Sequence, residues 1–135
     1  MEKQELIREA IAARKRSYSP YSHFQVGAAL LGRSGKVYTG CNIENAAYTP
    51  TNCAERTAFF KAISEGEKEF EMIAIVGGPA KSARTDYCPP CGVCRQVLRE
   101  FAPNIEIICL NGAGEERTFT LEELLPHSFG PEYLQ

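Results

Sequence analysis

Apolar side chains recur at helical spacing near the start of the chain. Leu6, Ile7, Ala10 and Ile11 share one side while charged residues take the other, which predicts a helix from Glu2 to about Tyr18. Ser19-Pro20 ends it, because a residue preceding proline avoids the α region. The pattern then shortens to that of a hairpin: Val26–Leu31 is an apolar strand, Gly32-Arg33-Ser34-Gly35 a turn, and Lys36–Cys41 the return strand. The small residues Gly27, Ala28 and Ala29 predict close packing of a helix against this strand. A second helix is predicted from Cys53 to about Glu65 on the stripe Ala54, Ala58, Phe59, Ala62 and Ile63, with Thr51 or Asn52 as its cap and Gly66 at its end. Phe70–Val76 reads as a buried strand ending at Gly77-Gly78. A loop, Pro79–Pro90, carries Lys81, Arg84 and Asp86. A helix over Cys91–Phe101 presents Val93, Val97, Leu98 and Phe101. Ile105–Leu110 is a further core strand and Arg117–Thr120 a short edge strand. Leu121–Leu125 is a short helix capped by Thr120, and the tail Pro126–Gln135 bears Phe129 and Tyr133.

This order holds no repeat and no linker. Its strand–helix–strand crossovers require a partly parallel sheet with helices on both faces. The expected fold is α/β: a three-layer α/β/α sandwich around a mixed five-stranded sheet, with residues 1–135 forming a single domain. Composition narrows the function. With 15 basic and 17 acidic residues and a net charge of −2, the chain lacks the basic face that a nucleic-acid polymer demands, so a small-molecule substrate is expected. The apolar runs fall far short of the roughly 20 residues needed to span a bilayer. The charged N-terminus lacks the apolar core of a signal peptide, so no membrane partner and a cytoplasmic location are expected.

Six cysteines in such a chain are better placed for metal or catalytic roles than for disulfides, since the cytoplasm is reducing. Cys41 and Cys109 sit in strand patterns and read as small core residues. Cys91-Gly92-Val93-Cys94 at a helix start puts two sulfurs at the end where backbone N–H groups favour thiolates. Cys53, at the start of another helix, can complete a three-sulfur face. Three protein ligands on tetrahedral zinc leave a position for water, the pattern of a catalytic site. Glu55, two residues from Cys53, can reach that water and move its proton to a substrate nitrogen. Three thiolates oppose acidification of the water, and Arg56 and Arg95, each beside a site residue, are expected to donate to the sulfurs and offset this charge. Taken alone, C-x-x-C fits a redox pair or a structural zinc equally well; Cys53-Ala54-Glu55 and Pro90 favour the catalytic reading. Asn42 and Glu44 flank one apolar residue, so an extended backbone points both the same way, toward sugar hydroxyls. Their bland alternative is an Asx-turn beside a solvated charge.

Four segments together resemble the small, homotetrameric, three-cysteine cytidine deaminases. They are Ser22-His23-Phe24-Gln25-Val26-Gly27-Ala28-Ala29, Gly40-Cys41-Asn42-Ile43-Glu44-Asn45-Ala46, Cys53-Ala54-Glu55-Arg56 and Pro90-Cys91-Gly92-Val93-Cys94-Arg95-Gln96. The resemblance implies one Zn²⁺ per subunit on Cys53, Cys91 and Cys94, and Glu55 as proton shuttle. It implies Phe24 stacked on the pyrimidine, the Ala54 N–H facing the base carbonyl, and Asn42 and Glu44 on the ribose. Phe129 and Tyr48 would complete a site at a subunit interface. The reaction implied is hydrolytic deamination of cytidine and 2'-deoxycytidine in pyrimidine salvage. The alternative substrate is a cytosine nucleoside antibiotic such as blasticidin S. One departure stands out: Cys88 precedes Cys91 by three, giving a second C-x-x-C, and the loop from Pro79 to Cys88 is longer than is usual in that family.

Overall fold

The strand Phe24–Gly32 (β1) is buried over seven consecutive residues, from Val26 to Gly32, as a strand covered on both faces must be. The computed structural model describes residues 1–81 and 86–135. β1 lies between Val37–Cys41 (β2) and Phe70–Pro79 (β3), antiparallel to both. Glu106–Leu110 (β4) runs parallel to β3, and Glu116–Thr120 (β5) closes the far edge antiparallel to β4. The order β2-β1-β3-β4-β5 is a mixed five-stranded sheet.

Alternation along the strands splits the core in two. Ala29, Leu31, Ala74, Val76 and Ile108 face the helix Lys3–Arg14 (α1) and its Leu6, Ile7 and Ala10. Ala28, Leu30, Ile73, Ile75, Ile107 and Cys109 face the other way. There they meet Ala54, Ala58, Phe59 and Ala62 of Ala54–Ser64 (α2), Leu98 of Gly92–Phe101 (α3) and Leu121 of Leu121–Leu124 (α4). The three-layer sandwich expected from the sequence is the observed architecture. A single 3₁₀ turn, Pro131–Leu134, follows α4.

Two glycines let the helices close on the sheet. A Cβ on Gly27 would stand 2.1 Å from the Ala10 carbonyl oxygen of α1, and one on Gly40 would stand 2.4 Å from the Ala54 oxygen of α2. The Gly40 contact sets the height of α2, whose start carries Cys53, Ala54, Glu55 and Arg56. The α4 cap is a reciprocal box: Thr120 Oγ1 accepts from Glu123 N, and the Glu123 carboxylate accepts from Thr120 N. Gly66, at φ +96°, follows the last residues of α2 as expected of a left-handed helix end.

Several boundaries differ from expectation. α1 stops at Arg14, four residues early, because Tyr18 is drawn into strand-like pairing with the segment after β2. Its N–H donates to Asn42 O at 3.0 Å, and its carbonyl accepts from Glu44 N at 2.8 Å. Ile11 is 38% exposed and Val93 58% exposed, while Ala13 and Cys94 take the buried positions on their helices. α2 is capped by neither Thr51 nor Asn52: Cys53 is its N-cap residue and makes no side-chain capping bond. Asn52 Nδ2 instead donates to Thr57 Oγ1 at 3.0 Å. The Arg84 position expected in the Pro79–Pro90 loop lies outside the described residues.

Gly27→Ala is expected to destabilise the protein by about 1–3 kcal/mol, the usual cost of forcing a methyl into a closed contact. A urea-denaturation midpoint equal to that of the unsubstituted protein would show that α1 can retreat without cost.

Candidate active site

β2 and β3 run in the same direction on either side of β1, so their carboxyl ends and the amino end of β1 open at one edge of the sheet. From β2 the chain passes through Asn42–Asn52 to α2. From β3 it passes through the Pro79–Pro90 segment to α3. Both helices start at this edge. Cys53 is the N-cap residue of α2, Cys91 that of α3, and Cys94 lies in the first turn of α3.

The three sulfurs converge, all within 4.8 Å of one another, with Cys53 Sγ and Cys91 Sγ 3.6 Å apart. Tetrahedral thiolates at about 2.3 Å from a zinc ion stand about 3.8 Å from each other, so the donor set fits that metal. Among the described residues the cluster holds no fourth donor, and His23 and His127 lie outside it. A zinc ion held by Cys53, Cys91 and Cys94 would therefore keep one position open.

The electrostatics of the corner suit a cation. Arg56 Nη2 donates to Cys53 Sγ at 3.2 Å. The Cys53 thiol is held well below its ordinary range by the hydrogen bond from Cys94 and by this guanidinium, while Cys94 is pushed up as the member of the pair that keeps the proton. Arg56 thus sits where the sequence placed it. Arg95 does not: its Nε donates to Pro90 O and its Nη1 to Leu124 O, each at 2.7 Å, and it reaches no sulfur. The Cys94 side chain is directed at the sulfur cluster, whereas Arg95 lies one residue further round α3. Its work is to tie the residue before Cys91 to the end of α4.

Glu55 is the buried charged residue of the described chain, at 5% exposure. Burial pushes its carboxyl up to about 7, and the neighbouring Cys53 thiolate pushes the same way. A cavity of about 310 Å³ reaches it, lined by Phe24, Asn42, Glu44, Cys53, Ala54 and Glu55 among others. The structure thus brings together most of the residues named from the sequence.

Tyr48 and Phe129 do not line this cavity. Tyr48, at φ +65° and 73% exposed, borders an adjoining hollow with Tyr21, Ser22, Glu44, Asn45 and Thr51. Phe129 is 55% exposed and stacks on Tyr133 with centroids 5.1 Å apart. Cys88 lines the cavity but stands outside the three-sulfur cluster. Burial pushes its thiol up to about 12, and its sulfur packs against Gly77, where an added Cβ would come within 2.7 Å.

Two hydroxyls that the sequence reading passed over hold the polar residues in place. Ser22 N and Tyr21 N donate to Glu44 Oε1 at 3.1 and 2.9 Å, and Ser22 Oγ donates to Glu44 Oε2. Asn42 Oδ1 accepts from Val26 N at 2.9 Å and from Ser17 Oγ, and its Nδ2 donates to Phe24 O at 2.7 Å. Polar residues clustered around Pro20 were the available signal, but neither serine is near Asn42 or Glu44 in sequence.

The crystal structure of cytidine deaminase from Burkholderia pseudomallei superposes with a TM-score of 0.86 over 96% of this chain and 100% of that one, at 45% identity. The family model for the cytidine and deoxycytidylate deaminase zinc-binding region matches residues 1–110. Fold and thiol cluster together define a zinc-binding deaminase. Cytidine deaminase of Halalkalibacterium halodurans is 50% identical over 133 residues, 98% of this chain and 97% of that protein. That of Sporosarcina psychrophila is 46% identical over 138 residues, 99% and 96% of the two chains. The chain belongs to the cytidine and deoxycytidylate deaminase family.

Two cysteine variants separate the cluster from its neighbour. Cys88→Ser is expected to purify with as much zinc as the parent protein and Cys94→Ser with much less, as read by elemental analysis. Zinc loss in Cys88→Ser would reassign the ligand set.

Proposed function

We propose that the protein catalyses hydrolytic deamination of cytidine and 2'-deoxycytidine to uridine and 2'-deoxyuridine, releasing ammonia, as a step of pyrimidine salvage in the cytoplasm. The observation that carries this reading is the buried Glu55 beside a three-sulfur corner, at the end of a cavity that Asn42 and Glu44 border.

One zinc ion per subunit, held by Cys53, Cys91 and Cys94, would supply a water of lowered pKa at the open position. The chain's own groups do the rest. With its carboxyl near 7, Glu55 can both take a proton from the attacking water and give it up again. It delivers protons first to N3 of the pyrimidine and then to the exocyclic amine as the C4–N bond breaks. The Ala54 N–H, one of the first in α2, has no carbonyl partner within the helix and is free to bind the base carbonyl. Phe24, at the cavity edge, gives the ring a stacking face. Arg56 offsets the charge of the thiolates from Cys53.

Counting hydrogen-bond capacity supports a nucleoside sugar as the polar half of the ligand. Both acceptor sites of Asn42 Oδ1 are taken and one of its two Nδ2 hydrogens is used, leaving one donor. Glu44 has both sites of Oε1 taken and one of Oε2, leaving one acceptor. One donor beside one acceptor satisfies one hydroxyl group. A site that asks for a single hydroxyl accepts ribose and 2'-deoxyribose alike. This favours cytidine and deoxycytidine over an antibiotic with an altered sugar such as blasticidin S. The net charge of −2 supports a nucleoside rather than a nucleic-acid polymer as ligand, and among the described residues no helix is long and apolar enough to cross a membrane. Tyr48, Phe129 and Tyr133 stand exposed outside the chain's own cavity, which supports a homotetramer in which neighbouring subunits complete each site.

The test is loss of cytidine absorbance on turnover, with and without a chelator, against blasticidin S as competitor substrate. Activity on cytidine that falls on chelation is expected; preference for the antibiotic would overturn the assignment. Glu55→Gln is expected to stay folded and zinc-loaded while kcat falls by at least about 10²-fold, the scale of a lost general acid–base. Near-parental turnover in that variant would remove Glu55 from the proton path.

A further inference from the structure

The Ser22 hydroxyl has its orientation decided for it. Its oxygen accepts the Phe24 N–H at 3.0 Å, and its hydrogen goes to Glu44 Oε2. Ser22 borders both the cavity and the adjoining hollow, so it stands at the junction of the two. The backbone around it is bent to the same end: His23 has φ +57°, its N–H donates to Ser19 O at 3.0 Å, and its carbonyl accepts from Ala80 N at 2.7 Å. This fixed turn presents two N–H groups and one O–H to a single carboxylate.

Glu44 therefore has no rotational choice. Oε1 is filled by the N–H groups of Tyr21 and Ser22, and the Ser22 hydroxyl fills the near side of Oε2. Without the hydroxyl, Oε2 would keep two open acceptor sites, filled by water in varying arrangements. Phe24 N would lose its acceptor in the same event, so one oxygen aligns the first residue of β1 and the carboxylate together.

We propose that Ser22 is a positioning residue that determines sugar specificity: by fixing Glu44, it leaves a single acceptor aimed at one sugar hydroxyl of the substrate. This rests on the reading of Glu44 as the sugar contact. Ser22 touches Glu44 and Phe24 rather than the reacting atoms, so its effect belongs in KM.

The experiment compares cytidine with 2',3'-dideoxycytidine, which keeps the base and lacks both ring hydroxyls, in Ser22→Ala, Glu44→Gln and the double variant. Ser22→Ala is expected to raise KM for cytidine roughly tenfold, the scale of a lost hydrogen bond to a charged group, with the loss carried by KM rather than kcat. The penalty should be much smaller on 2',3'-dideoxycytidine, where only the alignment of Phe24 is lost, and should not add to that of Glu44→Gln in the double variant. Equal penalties on the two nucleosides, additive penalties in the double variant, or a loss confined to kcat would each overturn the proposal. If Glu44→Gln discriminates between the nucleosides and Ser22→Ala does not, Ser22 alone is excluded. If Glu44→Gln fails to discriminate, the sugar reading falls and this proposal with it.

Discussion

Gathering three thiols around a buried carboxylate is electrostatically expensive, and much of the architecture answers that cost. Anionic groups out of water repel one another and resist ionising. Two helix N-termini point their free N–H groups into the corner, because Cys53 and Cys91 are themselves the residues at which α2 and α3 begin. Arg56 adds a full positive charge at 3.2 Å from Cys53. A divalent cation held by the sulfurs would complete the balance.

The sheet exists, from the site's standpoint, to bring two helix starts and one strand start to the same edge. β1 does this through small side chains. Gly27, Ala28 and Ala29 occupy the stretch just inside Phe24, and α1 closes over Gly27 while α2 closes over the neighbouring Gly40. Bulkier residues would lift both helices, and a lifted α2 would carry Cys53 and Glu55 away from Cys91 and Cys94. The carboxyl ends of β2 and β3 then deliver the polar loop and the second ligand segment.

Much of this was legible in the sequence. The hairpin, the stripe on α2 and the apolar runs of β3 and β4 fix the layers, since period and length leave few alternatives. The thiols and Glu55 were legible because the spacing within each segment is local: one residue separates Cys53 from Glu55, and two separate Cys91 from Cys94. What failed was whatever depended on long-range partners. The end of α1 was lost to Tyr18 pairing with the residue after Asn42, a contact across the chain that no helical propensity reports. Arg95 could not be told from Arg56 by adjacency to a site residue, because each guanidinium went where the nearest unsatisfied acceptors were: carbonyls for one, a thiolate for the other. Ser17 and Ser22 gave no sign of their roles, because a hydroxyl's partner is decided by the tertiary fold.

Arg14, at the last turn of α1, fastens the site edge from behind. Its guanidinium donates to Gln25 O and Gly78 O at 3.0 Å and to Pro79 O at 3.2 Å, so one side chain staples the start of β1 to the end of β3. The hydrogen bond from Ala80 to His23 lies just beyond that staple. At the other end of the segment, Arg95 holds Pro90, and the Cys88 carbonyl accepts from Cys109. The stretch from Ala80 to Cys88 is thus anchored at both ends by groups that do not belong to it. Its length is uncoupled from the position of Phe24 on one side and of Cys91 on the other. Evolution or a protein engineer can lengthen, shorten or decorate that connection as a free variable.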